Sequence, residues 1–293
     1  MALEFEPIRM DQQSNYRRML DTCPQKASDY SFINLWGWAE AYGLEWAWTP
    51  DLVWIRQQTP EPVYWAPVGN WNALDWEKTL RNHVRRDVRF ARVPEKLLAL
   101  WQQDGAIPLN AQPVRGDWDY LYSVAELIDL KGAKYHKKKN LLNQFTKTYH
   151  YRYLPLNIDS IHRIHQMQAD WCTWRDCAAQ KALDSENQAI LNILDNWEPL
   201  DKVMGGGIMI EKTMVAYTIA ERLSPETLLI HFEKGASGYK GIYQAINQMF
   251  LQAAGQTYTT VNREPDLGIE GMRKAKLSYH PIGFVKKFNV TFP

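Results

Sequence analysis

Three stretches of this 293-residue chain gather side chains able to do chemistry. The first is Glu233-Lys-Gly-Ala-Ser-Gly-Tyr-Lys-Gly241, where Gly235, Gly238 and Gly241 follow a strand pattern and precede a helical one. Glycines let the backbone curl, and the N–H groups of a helix start attract phosphate. The spacing matches neither the dinucleotide fingerprint nor a Walker loop. One reading makes Gly235, Gly238 and Gly241 the cofactor-binding residues, cradling the pyrophosphate of an acyl-CoA. A flexible strand-to-helix connection is the other.

The second stretch, Asn262-Arg-Glu-Pro-Asp-Leu-Gly268 continuing to Pro281, crowds ionisable groups at the C-terminal end of a strand, where open sheets place ligands. Asn262, Glu264 and Asp266 are the catalytic candidates, since a carboxylate here can hold an amino group or act as a general base. Arg273, Lys276 and Tyr279 are the substrate-binding candidates, the two cations suiting a carboxylate or phosphate. An ion-pair network that merely locks the loop would leave the same residues.

The third is basic. Lys131, Lys134, Lys137, Lys138 and Lys139 fall within ten residues. On a helix, Lys134, Lys137 and Lys138 share a face that would follow nucleic-acid phosphates, with Tyr135 and His136 as stackable rings between them. A solvated helix face is the plainer alternative. His162 and His165 lack a second ligand pair, so no metal site is expected. Cys172 and Cys177, five apart in a helical pattern, are expected as packed thiols and not as a disulfide or zinc knuckle.

The elements that must position these groups follow from periodicity. In the first half a helix is expected over 29–43, strands over 45–48, 52–56 and 63–66, a helix over 75–83, a strand from Val88 and a helix over 94–103. Trp36, Trp38, Trp46, Trp48 and Trp54 read as core. From Lys131 a basic helix opens, with Leu141, Leu142 and Phe145 on one buried face. A strand at 151–156 and helices at 161–176 and 185–197 come next. The period then switches to three consecutive strands, 205–211, 214–221 and 227–233. An amphipathic helix from Ile242 to Ala254, a strand at 258–262, a helix at 271–276 and a last strand from Gly283 complete the chain.

Composition bounds the rest. With 45% apolar, 23% charged and 13% aromatic residues, the chain is neither disordered, collagenous nor disulfide-stapled. No stretch approaches the roughly 20 apolar residues that cross a bilayer, and Met1-Ala-Leu-Glu-Phe-Glu6 carries acids where a signal peptide carries Lys or Arg. A cytoplasmic location with no transmembrane segment is expected. At roughly 100–200 residues per domain the length suggests two domains. Residues 1–130 hold 13 Lys and Arg against 18 Asp and Glu, whereas residues 131–293 hold 21 against 15. Ten of the thirteen Trp lie in the first part. A boundary near Leu130 is therefore expected, giving a Trp-rich domain 1–130 and a basic domain 131–293 that invites a polyanion.

Leu130-Lys-Gly-Ala-Lys-Tyr-His-Lys-Lys-Lys-Asn-Leu-Leu-Asn-Gln-Phe145, His231-Phe-Glu-Lys-Gly235 with Tyr239-Lys-Gly-Ile-Tyr-Gln244, and Asn262 to Gly268 with Ser278-Tyr-His-Pro281 together resemble a bacterial family. That family is related to the C-terminal domain of phosphatidylglycerol lysyltransferases. The likeness covers nearly the whole chain and is more specific in its second half. It implies an α+β fold of two tandem GNAT-like (acyl-CoA N-acyltransferase-type) domains, each a mixed, mostly antiparallel sheet flanked by helices. Fem peptidyltransferases, which move an aminoacyl group from tRNA to an amine or hydroxyl, share that architecture. Carried over, Lys137 and Lys138 lie in the basic helix, and Asn262, Glu264, Asp266, Arg273 and Lys276 at the polar end of the second domain's cleft.

Relatives of this kind work without a metal, relying on placement of the aminoacyl ester beside the nucleophile and on stabilising the developing charge. Lysyltransferases of this type also carry a long membrane-embedded region, which has no counterpart among these residues, so a soluble acceptor is favoured over a lipid headgroup. The expected function is aminoacyl transfer from aminoacyl-tRNA to a small-molecule, peptide or lipid-headgroup acceptor, with no cofactor required. The alternatives are a CoA-dependent N-acetyltransferase and a non-catalytic binding module of the same fold.

Overall fold

The apolar runs build two units, each around its own sheet, in a computed structural model that describes residues 3–84, 88–103 and 108–292. The first unit takes the chain up to Asp119, together with Pro265–Ile269 and Phe284 onward. Its strands run Glu6–Pro7, Glu45–Trp48, Leu52–Gln57, Val63–Trp65, Arg89–Pro94, Lys287–Thr291 and Asn110–Pro113, with Val68–Gly69 beside Leu52–Gln57. Val63–Trp65 and Arg89–Pro94 pair in parallel, and the other registered pairs are antiparallel. Trp46, Trp54, Trp65, Trp71 and Trp101 fill the core, where each flat ring buries a large apolar area. Trp36, Trp38 and Trp48 are only half-buried.

The helix expected over 29–43 is three pieces: a 3-10 turn Ser28–Tyr30, then Phe32–Gly37 and Ala39–Tyr42. Ser31 caps the second by accepting from the Asn34 N–H. Gly43, at φ 56, closes the third in the left-handed region.

The second unit comprises Tyr120–Glu264 and Glu270–Gly283. Its strands include, in order across the sheet, Tyr151–Pro155, Val203–Ile210, Thr213–Arg222, Thr227–Gly235, Thr260–Asn262 and Asp119–Ser123. All pair antiparallel except Thr227–Gly235 with Thr260–Asn262, whose parallel register is confined to Thr227, Leu228 and Leu229 opposite Thr260, Val261 and Asn262. Past these residues the two strands are no longer paired. The helix His136–Thr148 lays Phe145 against Ile242, Ala245 and Ile246 of the helix Ile242–Phe250.

The α+β class and the two mixed, mostly antiparallel sheets match the expectation. Other expectations change. The division falls between Asp119 and Tyr120 and not near Leu130, because Tyr122 and Leu121 pair with Val261 and Asn262 in the second sheet. The shift in charge marks where the lysines start, not where the chain changes sheets. Cys172 and Cys177 form a disulfide, with Cα atoms 5.0 Å apart. The helix Ile161–Arg175 ends at Asp176, whose left-handed φ of 52° turns the chain back and brings Cys177 toward Cys172. The helix from Ile242 is regular only to Phe250 and continues as a wider π turn over Leu251–Gly255.

Gly241 is required by close approach. It caps the helix Ile242–Phe250 at φ 87, and a Cβ there would lie 2.2 Å from the Leu141 carbonyl oxygen. At Gly238, φ 96, a Cβ would meet no atom within 4 Å. Gly241→Ala is therefore expected to lose about 2–5 kcal/mol in urea denaturation, combining backbone strain with a clash. Gly238→Ala should lose only about 1–2 kcal/mol, the backbone strain alone.

Candidate active site

The site lies where the parallel pair of the second unit ends. Ile219 faces Phe232 and Ala220 faces Ile230, so His231 is the extra residue of a β-bulge in an otherwise regular ladder. Bulges redirect a side chain locally. Here the bulge carries a fully enclosed imidazole between two carboxylates. Nδ1 is 3.0 Å from Glu264 Oε1, and Nε2 is 3.1 Å from Glu221 Oε1. A neutral imidazole has a single N–H and could satisfy only one of them. Burial alone would hold the His231 pKa down, but the hydrogen bonds and charges of Glu221 and Glu264 outweigh it and push it up to about 9. His231 is thus an imidazolium at neutral pH. It fixes carboxylates and has no lone pair to offer as a base.

The two carboxylates differ. Glu221 is 1% exposed, whereas Glu264 is 21% exposed. Glu264 is also strained, at φ 57, a left-handed conformation that non-glycine residues rarely hold. Two contacts keep it there. Asn262 Oδ1 accepts the Glu264 N–H at 2.8 Å. The Lys276 ammonium, from the helix Glu270–Leu277, donates to the Arg263 carbonyl and, at 3.0 Å, to the Glu264 carbonyl.

A second ion pair sits beside this relay. Glu233, two residues beyond His231, accepts from Arg263 Nη2 and, at 3.0 Å, from Asn247 Nδ2. Burial works against the Arg263 charge, but Glu233 overrides it and the guanidinium stays ionised. The guanidinium lies 4.8 Å from the Tyr279 ring centroid, and the Lys138 ammonium lies 4.0 Å from the same ring. The Tyr279 hydroxyl accepts from Gln244 Nε2 at 3.0 Å. Burial holds its phenol protonated above the usual tyrosine range.

The expected residues therefore separate. Asn262, Glu264, Lys276 and Tyr279 gather around the relay, with Asn262 and Lys276 holding backbone in place. Asp266 does not join them. It belongs to the first unit, is fully enclosed, pairs with Arg115 at 3.2 Å and accepts the Gly268 N–H at 2.9 Å. For that residue the loop-locking ion pair describes the structure. Arg273 is half-buried on the helix Glu270–Leu277. Of the three lysines expected to share a face, Lys134 pairs with Glu126 at 2.8 Å and Lys138 turns inward onto Tyr279. Burial and the Arg263 charge hold the Lys138 pKa down. Lys137 stays exposed. Nearby, Lys131, His136 and Lys139 line a shallow cavity of about 500 Å³.

In the glycine turn, Gly235 is filled by Ile242 and Gly241 by the Leu141 carbonyl, so both are accounted for by packing. Only Gly238 leaves open space for a phosphate. Among the described residues, no three His, Cys, Asp or Glu side chains gather as metal ligands, and His165 faces Asp195 at 3.1 Å. No helix of the described residues is long and apolar enough to cross a membrane.

Sequence reasoning did not single out His231, Glu221, Glu233 or Arg263 as site residues. A signal was present. His231 stands alone among apolar neighbours in Leu228-Leu-Ile-His-Phe232, and Glu221 closes an apolar strand. A polar group in such a strand is costly to bury without partners.

Comparison with known proteins agrees with this fold. The family described as phosphatidylglycerol lysyltransferase, C-terminal, matches residues 21–291. A conserved protein of unknown function from Bacteroides thetaiotaomicron is 28% identical, with TM-score 0.88 over 99% of this chain and 100% of that one. L-PGS from Bacillus licheniformis shares the fold at 12% identity and TM-score 0.62, covering 95% of this chain and 91% of that one. FemX does so at 7% identity and TM-score 0.59, over 98% and 97%. An uncharacterised protein of Mycoplasmoides gallisepticum is 25% identical over 183 residues, 59% of this chain. The chain spans about half the length of that curated relative, 55%.

Proposed function

The chain belongs to the phosphatidylglycerol lysyltransferase C-terminal family, and from that premise we propose an acyltransferase that passes an aminoacyl group from aminoacyl-tRNA to an amine or hydroxyl acceptor. The observation that carries the reading is Glu264, a partly exposed carboxylate held by a buried imidazolium at the end of the parallel pair. In this reading Glu264 accepts the ammonium of the aminoacyl donor and so fixes its ester carbonyl. The acceptor's nitrogen or oxygen attacks that carbonyl and forms the new amide or ester bond. The ester bond to the ribose breaks, and the proton lost by the acceptor ends on the released ribose hydroxyl. Fixing two reactants in this way removes much of the entropic barrier. Lys137, with Lys131 and Lys139 at the shallow cavity, supplies cations for tRNA phosphate. Arg273 is retained as a second contact for the donor's phosphate.

Glu264→Gln is expected to lower transfer about a hundredfold or more while losing only part of the stability tied to the His231 charge, because the amide oxygen still accepts from His231 Nδ1 and Glu221 keeps its charge. A large drop in thermal stability with transfer preserved would assign Glu264 to the loop lock instead. The first measurement is a titration against charged and uncharged tRNA and acetyl-CoA at low and moderate salt. Preference for charged tRNA that fades with salt supports this reading. Saturable CoA binding, weakened by Gly238→Trp, would support the acetyltransferase, whose supporting observation is the open left-handed turn at Gly238. Silence toward both would favour a binding module.

A further inference from the structure

The first unit encloses a separate cavity of about 250 Å³ whose lining includes Tyr42, Gln57, Glu61, Arg92, Asp117 and Asn289. A bulge shapes it, since Ala91 and Arg92 together face the single residue Asn289, and Arg92 adopts a left-handed φ of 58°. The cations around it are committed. Arg92 Nη1 pairs with Asp29 Oδ1 at 2.9 Å, and its guanidinium lies 4.1 Å from the Trp65 ring centroid. Lys287 bridges Asp29 and Asp119. At the rim, exposed Arg89 pairs with Glu61 at 2.6 Å.

That leaves Asp117. Among the described residues its carboxylate has no hydrogen-bond or ion-pair partner. The Asp117 carboxyl lies on the cavity wall. Burial pushes the Asp117 carboxyl up, and Arg92 and Lys287 do not cancel the effect. Gln57 is spent, its oxygen accepting from Trp65 Nε1 at 2.9 Å and its nitrogen donating to the Glu61 carbonyl at 3.3 Å. The Asn289 amide is bonded by no described side chain, and Tyr42 offers an aromatic wall. Small-molecule sites have this form: a few polar groups converging in a concave, partly aromatic pocket.

We propose that this cavity binds a small organic cation, a primary amine whose ammonium is held by the Asp117 carboxylate and the Asn289 amide oxygen. The site is independent of Glu264 and of the transfer reading.

The test is isothermal titration of the full chain with n-butylamine at fixed ionic strength, beside neutral n-butanol and anionic n-butyrate. Saturable binding of the amine, at least tenfold tighter than of either control, is expected. Asp117→Asn should weaken it at least tenfold. Asn289→Leu, which keeps the carboxylate but narrows the cavity from an exposed position, should do the same without touching the fold. Glu264→Gln should leave it unchanged. The proposal is overturned if the wild-type chain does not bind the amine, if butyrate binds as well, or if both Asp117→Asn and Asn289→Leu bind like wild type. Loss in Glu264→Gln alone would place the amine in the second unit.

Discussion

Replacing Lys287 by methionine is expected to cost about 3–5 kcal/mol, enough to unfold the first unit under mild conditions. The ammonium is fully buried between Asp29 and Asp119. Asp119 also accepts the Ser28 N–H at 2.8 Å and the Ser28 hydroxyl at 2.7 Å. Methionine nearly preserves the volume, so the loss would be electrostatic: two enclosed carboxylates would lose the ammonium between them. The two aspartates hold the Lys287 charge above its ordinary range against the effect of burial. Urea denaturation followed by circular dichroism measures the loss. Adding Asp119→Asn to Lys287→Met should recover part of it by removing one of the two carboxylate charges. A loss under about 1 kcal/mol would mean that water reaches the lysine.

The second large effect belongs to His231. Folding raises its pKa from the ordinary 6.5 to about 9, so the folded chain holds the proton more tightly than the unfolded one. The associated stability is complete below about pH 6.5 and is lost as pH climbs through about 9. At 1.36 kcal/mol per unit it amounts to at most about 3–4 kcal/mol. Denaturation midpoints of the wild type should therefore fall between pH 6.5 and 9, on top of any slope shared with the variant, and His231→Gln should flatten that segment. Transfer should be lost in the same variant, since Glu264 would lose its anchor. An unchanged slope would mean that the ring is neutral when folded and that one of its two carboxylates carries a proton.

The sequence made some of this legible. Three consecutive strands and the helix after them follow from the change of apolar period, and the polar crowd after Asn262 points to the end of the strand where Glu264 lies. The bulges are another matter. An extra residue in a ladder leaves no mark on period-two alternation, so neither His231 nor Arg92 could be aimed from pattern alone. Lys287 shares parity with buried Val285, but a lysine reads as exposed unless its partners are known, and Asp29 and Asp119 lie 258 and 168 residues away. Asp266 was misplaced for a similar reason. Pro265–Ile269 belongs to the first unit while the residues on either side of it, Glu264 and Glu270, belong to the second, and no local signal marks a five-residue excursion.

That excursion and the final strand bear on the order in which the protein can fold during synthesis. The ribosome delivers all of Tyr120–Gly283 before it delivers Lys287–Thr291, the strand that lies between Arg89–Pro94 and Asn110–Pro113. Nascent chains generally fold from the N-terminus onward as domains emerge. Here the unit that begins first must finish last. Until those closing residues arrive, Asp29 and Asp119 have no lysine between them, and two strand edges wait unpaired, the kind of surface that invites pairing with other chains.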